Sequence, residues 1–174
     1  MTPQDSASAS STPRTTARRR TRVATDASVK NHRRGAGVAF VSRDGRVGAV
    51  YTTTPADVVL AELAAVELAL DELRNRPLVI ECDSKHAVGY LLGSSTPRIS
   101  THVTTTARIR AKLKRSNSEV RWVRGHAGYE LNELADRASR AARRQHEYEF
   151  PDSWLRQILD RLREEVGQLA ASVA

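Results

Sequence analysis

The hydrophobic period shifts along this chain from strand-like to mainly helical, and that shift constrains the fold more than any other feature. Up to about residue 53 the apolar residues come in short runs: TRVATDAS, GVAFVS and RVGAVYTT. These have strand length and strand composition, and the last two flank Asp44-Gly45, a hairpin signal. Beyond that point the apolar residues recur at three- and four-residue steps, as on one side of a helix. Only two later runs break the helical pattern, LVIECD and SEVRWVRG.

The helical stretches are readable in order. From about 57 to 74, Val59, Leu63, Val66, Leu70 and Leu73 form one stripe. SKHAVGYLLG is a short helix. PRISTHVTTTARIRAKLKRSN is another, with Ile99, Val103, Ile109 and Leu113 expected inside. YELNELADRASRAARRQ carries Leu131, Leu134, Ala135, Ala138 and Ala142 on one face. A C-terminal amphipathic helix carries Trp154, Ile158, Leu162, Val166 and Leu169. The resulting order is βββ-α-β-α-α-β-α-α. It predicts an α/β domain, with a meander extended into a mixed sheet and helices on both faces.

The chain has 174 residues, enough for one domain with a real core. Formal net charge is +8, which favours polyanionic partners. The first 22 residues hold Arg14, Arg18, Arg19, Arg20 and Arg22 against Asp5 alone. We expect a disordered basic tail over residues 1–21, either solvated or gripping nucleic-acid phosphate without sequence preference. A domain over 22–146 and a C-terminal helix over 147–174 complete the expected organisation. A lone cysteine, Cys82, excludes an internal disulfide and a multi-Cys zinc site. No apolar run approaches membrane-spanning length, and the N-terminal stretch is polar where a secretory signal is apolar. The expectation is a cytoplasmic protein with no membrane partner. It is expected to be a monomer, with the C-terminal helix packed on the domain; a dimer through that helix is the alternative.

The carboxylates carry the chemical signal. Asp26 is expected to end the apolar run of the first strand. On the first helix, Glu62 falls within about 40° of Val66, at the edge of the apolar stripe, while Glu67 and Asp71 fall on the solvent side. A carboxylate beside a core is costly unless something positive meets it. Asp83 follows LVIEC, at the carboxyl end of a buried strand, where crevices form in α/β sheets. Asp136 shares the margin of its helix stripe with Asn132 and Ser139. Taken singly, these acids are ordinary. Together they can converge, and converging acids need cations; oxygen donors suit magnesium or manganese. An acidic metal site on a basic protein fits two-metal phosphoryl transfer on nucleic acid.

With these residues placed, the sequence resembles the ribonuclease H type 1 family. The motifs that carry the resemblance are Thr25-Asp26-Ala27-Ser28, Ala61-Glu62-Leu63, Asp83-Ser84 and Gly125-His126-Ala127-Gly128 followed by Asp136, within residues 22 to 146. The resemblance implies a ribonuclease H-like fold, with a five-stranded mixed sheet flanked by helices. It also implies endonucleolytic cleavage of the RNA strand of RNA–DNA hybrids. Two Mg2+ ions, or Mn2+ in their place, would sit on Asp26, Glu62, Asp83 and Asp136. His126 would assist proton transfer or product release. Ser28, Asn31, Ser84 and Asn132 would touch substrate. Three features depart from the family pattern. Val58 stands where many members have a substrate-contacting Asn, VKNHRRGAG replaces a Gly-rich turn, and RIRAKLKR stands in for the basic Trp-containing handle. In that turn Arg33 and Arg34 are the other candidates for gripping phosphate.

Two other readings stay open at this stage. One is a different metal nuclease of the same superfold, resolvase- or exonuclease-like, although Asp26-Ala27-Ser28 lacks the Asp-x-Glu pair usual in proofreading exonucleases. The other is a non-catalytic hybrid- or duplex-binding module. Trp122, alternating with Arg121 and Val123, is expected in the core, and Cys82 is expected to be an inert buried thiol.

Overall fold

The computed structural model describes residues 20–30, 35–53, 57–74, 76–125 and 127–172. The expectations for the N-terminal tail over 1–19, for Asn31, Arg33 and Arg34, and for His126 lie outside them. Ten elements follow in the expected order: β1 (Thr21–Val29), β2 (Ala36–Ser42), β3 (Val47–Thr52), α1 (Val58–Glu72), β4 (Leu78–Cys82), α2 (Lys85–Leu92), α3 (Ser100–Ser116), β5 (Glu119–Trp122), α4 (Glu130–Glu147) and α5 (Asp152–Ala171).

The strands form one sheet in the order β3-β2-β1-β4-β5. β1, β2 and β3 pair antiparallel, as hairpin-connected strands do, while β4 joins β1 and β5 joins β4 in parallel. Parallel neighbours require crossovers, and the helices supply them. At the β2–β3 turn Gly45 takes a φ of 89°, a left-handed conformation that Asp44-Gly45 foretold, and Ser42 Oγ donates to Asp44.

Alternation along the strands splits the core in two. Val23, Phe40, Leu78, Ile80, Cys82 and Val120 pack under α1, α2 and α3. Ala24, Ala39, Val41 and Val47 pack under α4 and α5. α5 reaches the second core through Leu159, Leu162 and Val166. Each such side chain contributes about 1.5–3 kcal/mol on burial.

Four local expectations need correction. Asp26 does not end β1; the strand runs on to Val29, and Asp26 pairs with Ala39 inside the ladder. α3 does not pack through Ile99 and Val103, which are 55% and 45% exposed; it packs through His102, Thr106, Ile109 and Leu113. The phase is set by a polar contact that hydropathy does not register: His102 Nε2 meets Asp57 Oδ2 at 2.8 Å, and Asp57 caps the N-terminus of α1. Glu67 and Asp71 do not face open solvent. α3 lies across them, with Arg108 Nε 2.7 Å and Lys112 Nζ 2.8 Å from Glu67, and Lys112 Nζ 2.6 Å from Asp71.

The fourth correction is Trp122, which is 42% exposed. β5 is an edge strand, and the indole leans out over its end. Its Nε1 donates to the carbonyl of Asp83 at 2.9 Å, and Lys85 Nζ sits 4.7 Å from the ring centre. No described helix is long and apolar enough to cross a membrane.

Candidate active site

β1 and β4 run parallel and side by side, so their carboxyl ends lie together, and the N-terminal part of α4 crosses that end. α1 lies on the opposite face from α4. Three acids meet where these elements come together. Asp26, Glu62 and Asp83 each offer a carboxylate oxygen, and all three oxygens lie within 4.8 Å of one another. Asp26 is 7% exposed and Glu62 5%, with Asp83 more open at the rim.

Each acid is held by a neighbour. Ser139 Oγ on α4 donates to Asp26 Oδ2 through a short hydrogen bond. The same oxygen also lies 2.9 Å from the carbonyl of Asp136, a turn back on the helix; one hydroxyl has one proton, and the carboxylate is the stronger acceptor. Glu62 accepts from the backbone N–H of Ala27 and lies 3.8 Å from the thiol of Cys82. Asn132 Nδ2 donates to Asp83 Oδ2 at 3.3 Å, while its Oδ1 is buried with no hydrogen-bond partner. Gly125 comes close to the same carboxylate oxygen. A Cβ there would stand 2.6 Å from Asp83 Oδ2, so no larger residue fits without moving the acid.

These carboxylates are poorly compensated. Burial pushes the Asp26 carboxyl up to about 6; the Ser139 hydrogen bond opposes this, and repulsion from Asp136 and Asp83 adds to it. Burial, then Asp26 and Asp83, drives Glu62 well above the usual carboxylate range. Burial, then Glu62, raises the Cys82 thiol well above its ordinary value. Clustered hard oxygen donors that resist ionisation are what a divalent cation relieves.

The structure does not gather every candidate. Asp136 stands outside the three-oxygen set, near enough to repel Asp26, with its Oδ1 3.0 Å from Arg140. Ser28 accepts from Arg143 Nε at 2.9 Å, and Ser84 caps α2 by accepting from the N–H of Ala87. Both hydroxyls are thus engaged in holding the fold. Asn132 faces an acid of the cluster.

Sequence reasoning missed Ser139 and Gly125 as supports of the acids. Ser139 was detectable: it lies seven residues, two turns, beyond Asn132, and so shares its helix face. Glu81 was also missed. It is fully buried among apolar neighbours of β4, where Arg22 Nη2, at 2.9 Å, and Arg121 both meet it. It points to the face opposite Cys82 and lies outside the cluster. A cavity of about 660 Å³ lined by Leu70, Arg74, Arg76, Lys112 and Arg115 sits at the other end of the sheet, before Pro77, and shares no residue with the acids.

No curated protein sequence matches this chain significantly. Among solved structures, it is similar to LC11-RNase H1, isolated from compost by a metagenomic approach. The TM-score is 0.59 at 18% identity, over 71% of this chain and 97% of that one. That likeness shows the fold. The RNase H family model matches residues 18–144, which spans β1 to the last turn of α4 and takes in all four acids. The chain belongs to the RNase H family.

Proposed function

We propose that this protein is an endoribonuclease that hydrolyses the RNA strand of RNA–DNA hybrids, with two Mg2+ ions held by Asp26, Glu62, Asp83 and Asp136. The observation that carries the reading is the meeting of three carboxylate oxygens within 4.8 Å at the carboxyl ends of β1 and β4, in a chain of the RNase H family. RNase H enzymes are metal-dependent nucleases, and the donor set here fits a hard dication. Bound there, such ions lower the pKa of an attacking water and stabilise charge on the phosphate and the leaving oxygen.

The remaining groups position the acids. Ser139 fixes the rotamer of Asp26, Asn132 and Gly125 both confine Asp83 Oδ2, and the Ala27 N–H holds Glu62. Asp136 is the outer acid, its Oδ1 3.0 Å from Arg140. His126, by resemblance, serves proton transfer or product release. Exposed Trp122, braced by Asp83 and Lys85, gives the rim a flat apolar surface.

The test is cleavage of labelled RNA–DNA hybrid, double-stranded DNA and double-stranded RNA in Mg2+, Mn2+ or EDTA. The reading requires metal-dependent loss of the RNA strand of the hybrid alone. Cleavage of DNA points to another nuclease of the superfold, and binding without cleavage in either metal points to a non-catalytic module.

A further inference from the structure

Asp136, Arg140, Arg144 and Tyr148 follow one another at four-residue steps on α4. Such steps make a single slanting ridge that rises about 6 Å at a time. The ridge starts at the outer acid of the site. Its next member, Arg140, is 54% exposed and contacts Asp136. Arg144 is exposed and forms no ion pair among the described residues. Tyr148 ends the helix 58% exposed.

Beyond Tyr148 the ridge meets an aromatic group. The rings of Tyr148 and Phe150 stack with centroids 5.6 Å apart, and Phe150 lies 4.6 Å from Trp154 at the start of α5. Phe150 is also exposed. These three aromatics lie outside residues 18–144, so the family match does not account for them. Of the nearby acids, Glu147 is met by Arg143 and Lys30 and Asp152 by Gln145, while Glu149, between the two rings in sequence, is exposed and forms no ion pair among the described residues.

Cations spaced by one helical turn suit successive phosphates of one strand. Exposed aromatic rings suit unpaired bases, because stacking is tolerant of sequence. The interior of a duplex offers no free base face to them. We infer that the α4 ridge and its aromatic end bind an unpaired single-stranded extension continuous with the substrate at the acids. This rests on the proposed hybrid substrate and adds a preference for hybrids with overhangs.

Fluorescence anisotropy of the full chain in EDTA tests it. Affinity for a blunt labelled hybrid is compared with affinity for the same hybrid carrying an unpaired extension, of RNA or of DNA, on either end. An extension at one end is expected to tighten binding about tenfold for a stacked base. The RNA and DNA arms show which strand supplies it. Y148A/F150A is expected to lose that gain while cleaving blunt hybrid at the wild-type rate. Arg144→Glu, fully on the surface, is expected to do the same without touching the aromatic packing. A wild-type protein indifferent to every extension, or variants that keep the gain, would overturn the inference. Failure of the wild-type protein to cleave blunt hybrid in Mg2+ strikes the proposed function instead, and is read separately.

Discussion

The hydroxyl of Ser139 and the carboxylate of Asp26 belong to residues 113 positions apart, yet they share a short hydrogen bond under α4. The bond joins the helix that carries Asp136 to the central strand that carries Asp26. It is also the main influence that keeps the Asp26 carboxyl from rising further.

Replacing Ser139 with Ala removes that restraint. The acid limb of the pH–rate profile for hybrid cleavage is expected to move upward by about one unit, with roughly twofold less activity at pH 7 and close to tenfold less on the acid side of the limb. Ser139→Thr keeps the hydroxyl and is expected to restore the profile. An unshifted limb in the Ala variant would show that Ser139 does not tune Asp26.

The raised Asp26 and Glu62 carboxyls also fix the sign of a stability effect. Their folded values lie above their unfolded ones, so the folded state binds more protons across that interval. The contribution of these two groups is therefore full below about pH 4, where the lowered Asp44, Asp57, Glu67 and Glu165 act in the opposite sense. It falls as pH rises through about 6 and beyond. Calorimetry in EDTA reads this directly. At pH 7.5 Asp26→Asn is expected to be more stable than wild type by about 2 kcal/mol, and Mg2+ is expected to close much of the gap by stabilising wild type. A wild type whose melting point climbs between pH 5 and 7.5 in EDTA would contradict it.

Gly125→Ala puts a methyl group 2.6 Å from Asp83 Oδ2. Displacing one acid by even an ångström is expected to reduce kcat about a hundredfold, with little change in KM. A variant of wild-type kcat would mean that the loop yields and the acid stays.

Leu162 is fully buried between α5 and the sheet. Leu162→Ala is expected to cost about 2–5 kcal/mol in chemical denaturation. An unchanged midpoint would mean that α5 is dispensable to the fold.

The order of elements was legible because the period of apolar residues switches cleanly, and because Asp44-Gly45 and Pro77 punctuate it. The apolar stripe of α4 was likewise readable, although Asn132, Ser139 and Ala141 are buried with it. What escaped was polar burial. His102 sets the phase of α3 through Asp57, and Glu81 sits inside a β-strand because two arginines from flanking strands reach it. Hydropathy assigns such residues outward, since the partner that makes burial tolerable is distant in sequence. Trp122 failed in the reverse sense. Alternation gave it an inward place, but β5 is an edge strand and leaves the ring 42% exposed. Among the acids, the convergence of Asp26, Glu62 and Asp83 was legible as an ordered set on named elements; the offset of Asp136 toward Arg140 was not.

The most direct measurement is the position of Mn2+ in a crystal, read from its anomalous scattering. The account predicts a peak coordinated jointly by Asp26, Glu62 and Asp83, absent in Asp83→Asn. Mn2+ bound elsewhere, with this pocket clear at saturating concentration, would contradict it.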